Sequence, residues 1–516
     1  MKDGRIYALC GLYTLLLLAM VLMRPLLPID ETRYLAVAWE MRLSADPFHL
    51  TRNFEPYSHK PPLLFWLINL VWMLGGVSEI AGRLVAPAFA VLAIWGTARL
   101  ARLLWPAVAD RGLSAAAILC GFPVFAIYGS ATMFDAMLAT AVLLGAGFLW
   151  QIGKGGGRRR DWLGLGLALG LGLLTKGPVI LLHLAPMLIL MRFWAPVRPS
   201  RPELLRGLAL SLAVALGLLA LWLVPLLATA DAAFREELLW TQSATRLAGG
   251  MAHDRPLWFF LALLPLLLFP FGWLPGLWRP LPAAVRTDPA QRFLLIWVLA
   301  GPVIFSFVAS KQAHYLIPEF PALALMLARL GHGKWGALRR LSPVVLVLLA
   351  LAVLLTLGAA GVVKVDLAGP VALGGLAAVL FLLALAVWRI GGLAGATAAG
   401  AGVALALHLF IAFTGMGRDY DSHALAAALK GGAAAMPDLA VIGQPYNAEV
   451  NFAARLTAPV ATLTDADAAQ AWAAAHPTGR LFGPLKSTPL TQPPSVGLIY
   501  NGKAYGVWDA ASLAAP

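Results

Sequence analysis

The chain has 516 residues, 60% of them hydrophobic and only 12% charged, with a mean hydropathy of +0.78. Soluble domains run nearer 45–50% apolar, so a polytopic membrane protein is expected and an ordinary soluble enzyme is excluded. The net charge of +14 does not point to nucleic acid, because Lys and Arg fall mostly between apolar runs, where topology explains them. The two cysteines, Cys10 and Cys120, both lie inside apolar runs, which argues against a disulfide framework and offers no metal spacing.

In chain order, Lys2 and Arg5 precede an apolar run from Ile6 to Met23. Met23-Arg24-Pro25 follows in place of a small-x-small cleavage site, so the run reads as an uncleaved first span. Taking about 20 apolar residues per span, thirteen segments qualify as candidates. They centre on 6–23, 82–104, 113–128, 136–152, 162–174, 178–193, 207–228, 257–277, 293–309, 316–330, 342–361, 368–388 and 392–413. Segment 162–193 can also be one hairpin broken at Thr175-Lys176-Gly177-Pro178. If thirteen spans alternate, the basic clusters fall on one side, among them Arg158-Arg159-Arg160, Arg339-Arg340 and Arg389. The positive-inside rule makes that side cytoplasmic. The loop Asp30–Pro62, the loop 229–256 and the tail after Thr414 then face outward.

The first outer loop is dense in ionisable groups. It opens Asp30-Glu31-Thr32-Arg33-Tyr34 and closes Tyr57-Ser58-His59-Lys60-Pro61-Pro62. Ala36 to Leu43 has amphipathic helical spacing, and Leu63 to Leu74 is apolar but too short to span, so both are expected as interfacial helices. After Thr414 the composition turns polar, which divides the chain into a transmembrane domain, 1–414, and a small α/β domain, 415–516. There, Ala424–Lys430 reads as a helix and Leu439–Gly443 as a strand. Thr464-Asp465-Ala466-Asp467 can cap a helix at Ala468–Ala475, and Asn501-Gly502 marks a hairpin between two strands.

Several polar residues can carry chemistry. Asp30 and Glu31 are either solvated interfacial acids or a general base or metal ligand in a membrane-face pocket. Adjacent helical residues point about 100° apart, so the two need not serve one site. Asp135, at the outer start of the fourth span, is either an N-cap or a carboxylate facing a cavity or partner. Lys176, Lys311, His314 and Tyr315 reach the same face. A lone lysine there can snorkel to headgroups, whereas several converging cations suit a phosphate at membrane level. Arg246, His253, Asp254 and Arg255 add to the set. His59 and His253 are ordinary surface residues singly, but as a pair with carboxylates they could hold a divalent metal. Gly155-Gly156-Gly157 is followed by arginines and reads as a turn, so no nucleotide loop is expected.

The run Pro28-Ile29-Asp30-Glu31-Thr32-Arg33-Tyr34, followed by Lys60-Pro61-Pro62, resembles the first periplasmic loop of bacterial GT-C glycosyltransferases, in particular the lipid A aminoarabinose transferase family. Asp135 stands where that family has its second acid. Thr175-Lys176-Gly177, Arg246 with His253-Asp254-Arg255-Pro256-Leu257-Trp258, and Lys311-Gln312-Ala313-His314-Tyr315-Leu316-Ile317-Pro318 match further motifs in order, covering about residues 1–330.

The resemblance implies an α-helical, GT-C-like inner-membrane enzyme. It would transfer a sugar from a polyprenyl-phosphate carrier to a lipid or glycan acceptor such as lipid A, outside the membrane and with inversion. It makes Asp30 and Asp135 the acidic pair. Arg33, Lys60 and Tyr315 become ligands of the carrier phosphate, with Arg246 and Lys311 as additions, and His59 and His253 become the metal site. The family usually has Glu where His59 stands; two histidines suit zinc, but the metal's identity stays open. Gln242-Ser243 replace a Glu-His, which bears on acceptor or sugar. A protein O-mannosyltransferase shares the early acids. A secondary transporter would carry its polar sites at mid-bilayer, often in repeated halves, and neither is seen.

Overall fold

In the computed structural model, residues 2–108, 110–155, 157–236, 255–338, 341–365 and 367–514 are described. All thirteen expected segments contain helix, but not all are spans of equal standing. Among the described residues, eight helices are long and apolar enough to cross a membrane: Gly4–Leu22, Glu79–Leu104, Asp135–Gly155, Arg201–Thr229, Pro289–Ser306, Ser342–Ala359, Pro370–Ile390 and Gly392–Thr414. Arg111–Cys120 and Pro123–Ser130 pass together but are bent by 70°. Pro123 supplies no N–H at the bend and opens the second helix at a first-turn position.

The other four expected spans fall short for visible reasons. Arg159–Lys176 carries four charges in 18 residues. Val179–Ile189 and Phe320–Leu330 have 11 residues each. Segment 257–277 is broken into Phe259–Leu267, Phe271–Trp273 and Pro275–Trp278 by its prolines. The chain is a multi-pass α-helical membrane protein.

The chain packs as two compact units. The first comprises Met1–Met20, Ser58–Leu64 and Leu84–Phe410. Its core mixes aliphatic and aromatic side chains, with Trp150, Trp194, Phe293 and Trp297 buried; the Trp194 and Phe293 ring centroids are 4.6 Å apart. Small residues let helices approach. At Gly166 of Arg159–Lys176, a Cβ would lie 2.6 Å from the Ser211 carbonyl oxygen of Arg201–Thr229.

The second unit comprises Val21–Tyr57, Phe65–Arg83 and Ile411–Pro516. The C-terminal segment is joined there by most of the first outer loop, which composition alone had grouped with the spans. Its five-stranded sheet runs β4-β3-β5-β7-β6. The strands are β3 (Leu439–Ile442), β4 (Ala461–Leu463), β5 (Arg480–Pro484), β6 (Val496–Tyr500) and β7 (Lys503–Asp509); β1 (Thr51–Arg52) and β2 (Glu55–Pro56) form a separate pair in the loop. β3 pairs parallel with β4 and β5, and β7 pairs antiparallel with β5 and β6.

Leu439 and Val441 face one core with Leu425, Phe482 and Ala36, while Ala440 and Ile442 face the other with Ala469 and Trp508. Asn501 and Gly502 both have positive φ, as a tight hairpin turn requires. Asp465 caps Ala466–Ala475 by accepting from the Ala468 N–H at 2.8 Å. Buried Glu40 ties the loop to the C-terminal segment. It accepts from the Asn53 and Phe54 N–H groups, the Thr51 hydroxyl and the Asn451 amide, at 2.8–3.0 Å. Burial holds its carboxyl above the ordinary value despite these four donors.

Candidate functional site

Two polar groups carry the expected site residues, one in each unit. In the first unit, the chain turns at Ala131–Phe134 and starts the helix Asp135–Gly155 on its acid. Asp135 is 1% exposed. A bare carboxylate there would be costly, and it has a partner: Lys176 donates to Asp135 Oδ1 at 2.7 Å. Lys176 is the last residue of Arg159–Lys176, and Gly177 ends that helix at φ 71°, ψ −153°, a conformation only glycine holds without strain. The Thr-Lys-Gly motif therefore aims one ammonium at one carboxylate.

That ammonium also lies 5.1 Å from the centroid of the Tyr315 ring. Tyr315 meets His314 edge-on at 4.9 Å, and His314 lies 5.3 Å from Tyr128. Lys60 sits 5.6 Å from the Phe134 ring centroid, adjacent to Asp135 in sequence. Lys176, His314 and Lys60 all lie within electrostatic range of Asp135. One carboxylate is thus set among three groups able to carry positive charge and two tyrosines. Such a patch attracts an anion, with the acid retained for orientation.

In the second unit, the helix Asp30–Ser44 begins on its two acids and separates them. Glu31 is buried in an ion pair with Arg24 and also accepts from the Leu27 N–H at 3.1 Å. Asp30, its side chain 41% exposed, pairs with Arg33 and accepts from the Tyr34 hydroxyl at 3.0 Å. Arg33 lies over the Tyr34 ring at 5.3 Å. The doublet thus resolves into one structural acid and one oriented, accessible acid.

The remaining expected residues differ. Lys311 is buried and donates to the Arg255 carbonyl at 2.8 Å, so it fastens a loop. Arg246 and His253 lie outside the described residues, as do Gln242 and Ser243. His59 is described, but among the described residues no three metal-ligating side chains come together. The sequence places Lys176 among the outer-face cations, and its pairing with Asp135 appears only in the fold. Its signal was the Thr-Lys-Gly spacing at a broken helix pair.

Residues 59–227 match the family model of dolichyl-phosphate-mannose-protein mannosyltransferases. The undecaprenyl phosphate-alpha-4-amino-4-deoxy-L-arabinose arabinosyl transferase of Pseudomonas paraeruginosa is 31% identical over 324 residues, 60% of this chain and 56% of the relative. That of Erwinia tasmaniensis is 29% identical over 345 residues, 64% and 60% of the two chains. The chain thus spans little more than half the length of the relatives it matches. The crystal structure of ArnT from Cupriavidus metallidurans bound to undecaprenyl phosphate superposes with a TM-score of 0.76, at 20% identity and 100% coverage of both chains. The chain has the fold of that structure. The motif resemblance is thus accompanied by a likeness of fold.

Proposed function

We propose that this GT-C chain is a bacterial inner-membrane glycosyltransferase that moves a sugar from a polyprenyl-phosphate carrier to a periplasmic-side acceptor, lipid A or another envelope glycan, with inversion. The observation that carries this reading is the buried Asp135–Lys176 pair beneath Tyr315, with Lys60 and His314 acting on the same carboxylate. The names of the relatives, which specify an undecaprenyl-phosphate sugar, support it. Thirteen spans, with the first loop and residues 415–516 on the periplasmic side, complete the proposal.

A carrier-linked sugar presents its cleavable bond at the headgroup plane. An acceptor oxygen attacks the anomeric carbon from the face opposite the phosphate, and the bond from that carbon to the phosphate oxygen breaks. The carrier leaves as polyprenyl phosphate, with its charge held by Lys60 and Tyr315, and Arg33 has the same role only as the motif resemblance implies it. Arg246 is a further phosphate ligand by position in the sequence. Asp30, oriented by Arg33 and Tyr34, takes the proton of a hydroxyl acceptor; a phosphate acceptor needs no base. Asp135 faces the positive character that develops on the sugar. A zinc ion at His59 and His253 would add charge at the phosphate, but no step above depends on it.

In membranes supplied with polyprenyl-phosphate sugar, Asp30→Asn and Asp135→Asn are each expected to lower transfer by about 100-fold or more, with the protein still inserted. Full activity in both variants would remove the site assignment. Mass spectrometry of lipid A and other envelope glycans from a deletion strain names the acceptor, and a protein bearing O-linked sugar would favour the mannosyltransferase alternative. Protease added from the periplasmic side should reach residues 415–516; access from the cytoplasmic side alone would break the topology.

A further inference from the structure

The first unit contains a second buried acid–base pair that the reaction does not use. His183, 0% exposed, lies on the helix Val179–Ile189, and Glu319, 4% exposed, ends the turn Ala313–Glu319. His183 Nδ1 is 2.6 Å from Glu319 Oε1, a hydrogen bond in an otherwise apolar surrounding. The Glu319 carboxylate packs on Gly301 of Pro289–Ser306, where any Cβ would collide with it. A polar pair this deep is costly to bury, so it needs a reason beyond packing.

Its connections supply one. Val179–Ile189 follows directly on Lys176-Gly177-Pro178, and Ala313–Glu319 carries His314 and Tyr315. Two contacts tie this stretch of chain to the turn: Lys176, which ends the preceding helix, lies over the Tyr315 ring, and His183 meets Glu319. Phe305 lies between, its ring 5.5 Å from both His183 and Tyr315. Trp297 pins the same turn by donating to the Pro318 carbonyl at 3.1 Å. Tyr315 is four residues from Glu319, so the polar pair fixes the height and rotation of the turn that presents the ring.

We propose that His183 and Glu319 are positioning residues, a buried clasp that sets Tyr315 against Lys176 and so shapes the phosphate end of the site. The clasp itself stands on geometry alone; its consequence for the carrier phosphate rests on the function proposed above.

The test uses the full chain in detergent, labelled with fluorotyrosine. Among its 10 tyrosines, the Tyr315 fluorine signal is identified by its loss in Tyr315→Phe. In Glu319→Ala that signal is expected to shift or broaden, and in Glu319→Gln, which keeps an acceptor oxygen, to return near its original position. A short-chain polyprenyl phosphate is then titrated. Glu319→Ala should bind it about tenfold more weakly, which corresponds to about 1.4 kcal/mol. The loss should disappear in a Tyr315→Ala background, because the clasp acts through that ring.

An unmoved fluorine signal in folded Glu319→Ala overturns the clasp. So does an equal loss of affinity in the Tyr315→Ala background. A moved signal with unchanged affinity keeps the clasp and removes Tyr315 from the phosphate site, which is a failure of the functional reading alone. If Glu319→Ala does not fold, His183→Asn provides the same readings.

Discussion

Asp30 and Glu31 are neighbours with opposite fates, and the difference is measurable. Glu31 and Arg24 are both nearly fully buried, so removing one charge strands the other. Glu31→Gln should therefore destabilise the protein by about 3–5 kcal/mol, seen as a lower unfolding midpoint in detergent. Asp30 has a side chain 41% exposed and, among the described residues, bonds to Arg33 and Tyr34, so Asp30→Asn should change stability by no more than about 0.5 kcal/mol while transfer is lost. The same logic applies to Lys176. Lys176→Met removes the ion-pair partner of the buried Asp135 carboxylate, a cost of about 3 kcal/mol, and adding Asp135→Asn should recover much of the stability but none of the transfer. Wild-type stability in Lys176→Met alone would mean that the pair is not formed. The sequence marked all four of these residues as polar at a membrane face. Which acid is structural and which lysine pairs with which carboxylate depends on contacts across 41 residues in one case and 7 in the other, and no local pattern encodes those.

At the scale of elements, the decisive feature is the break at residues 176–178. Gly177 sits at positive φ between the helix that ends on Lys176 and the helix that begins at Val179. Gly177→Ala should cost about 1–3 kcal/mol in strain and shift the lysine it follows. The checks are the unfolding midpoint and transfer activity, and unchanged values for both would show that the turn tolerates a side chain. Breaks of this kind were readable because Gly and Pro punctuate apolar runs. The two strongest local signals in the C-terminal segment were readable as well: the Asn501-Gly502 hairpin and the Asp465 cap. β4 and β5 were not. β4 has three residues, β5 ends in proline, and both pair parallel with β3 across intervening chain, so neither carries a hairpin signature. The count of spans was blurred for a related reason: an apolar run of 11 residues looks like half of a longer one until its ends are fixed.

For the molecule as a whole, the larger surprise is that the first outer loop packs with the C-terminal segment, more than 300 residues away in sequence. Glu40 accepting from Asn451 is one tie, and a chain of charges is another. Arg83 pairs with Glu79 at 3.0 Å and donates to the Arg24 carbonyl, and Glu79 meets His423 Nε2 at 2.5 Å. His423 lies in the first turn of the helix Ser422–Lys430, so this contact fastens the C-terminal segment to the end of the loop. The hydrogen bond to Glu79 raises the His423 pKa, with Asp421 adding to it and burial and Arg455 opposing. The folded state therefore holds the proton more tightly than the unfolded chain. The stabilisation is complete below about pH 6.5, the ordinary histidine value, and fades as pH rises through the raised one. Limited proteolysis of the full chain from about pH 6 to about pH 8.5 should show residues 411–516 becoming easier to cleave. His423→Gln should begin at the more sensitive level and show no slope, since the imidazole that titrates is gone. A slope that persists in that variant would shift the titration to another group and leave the Glu79 contact without a pH-dependent role.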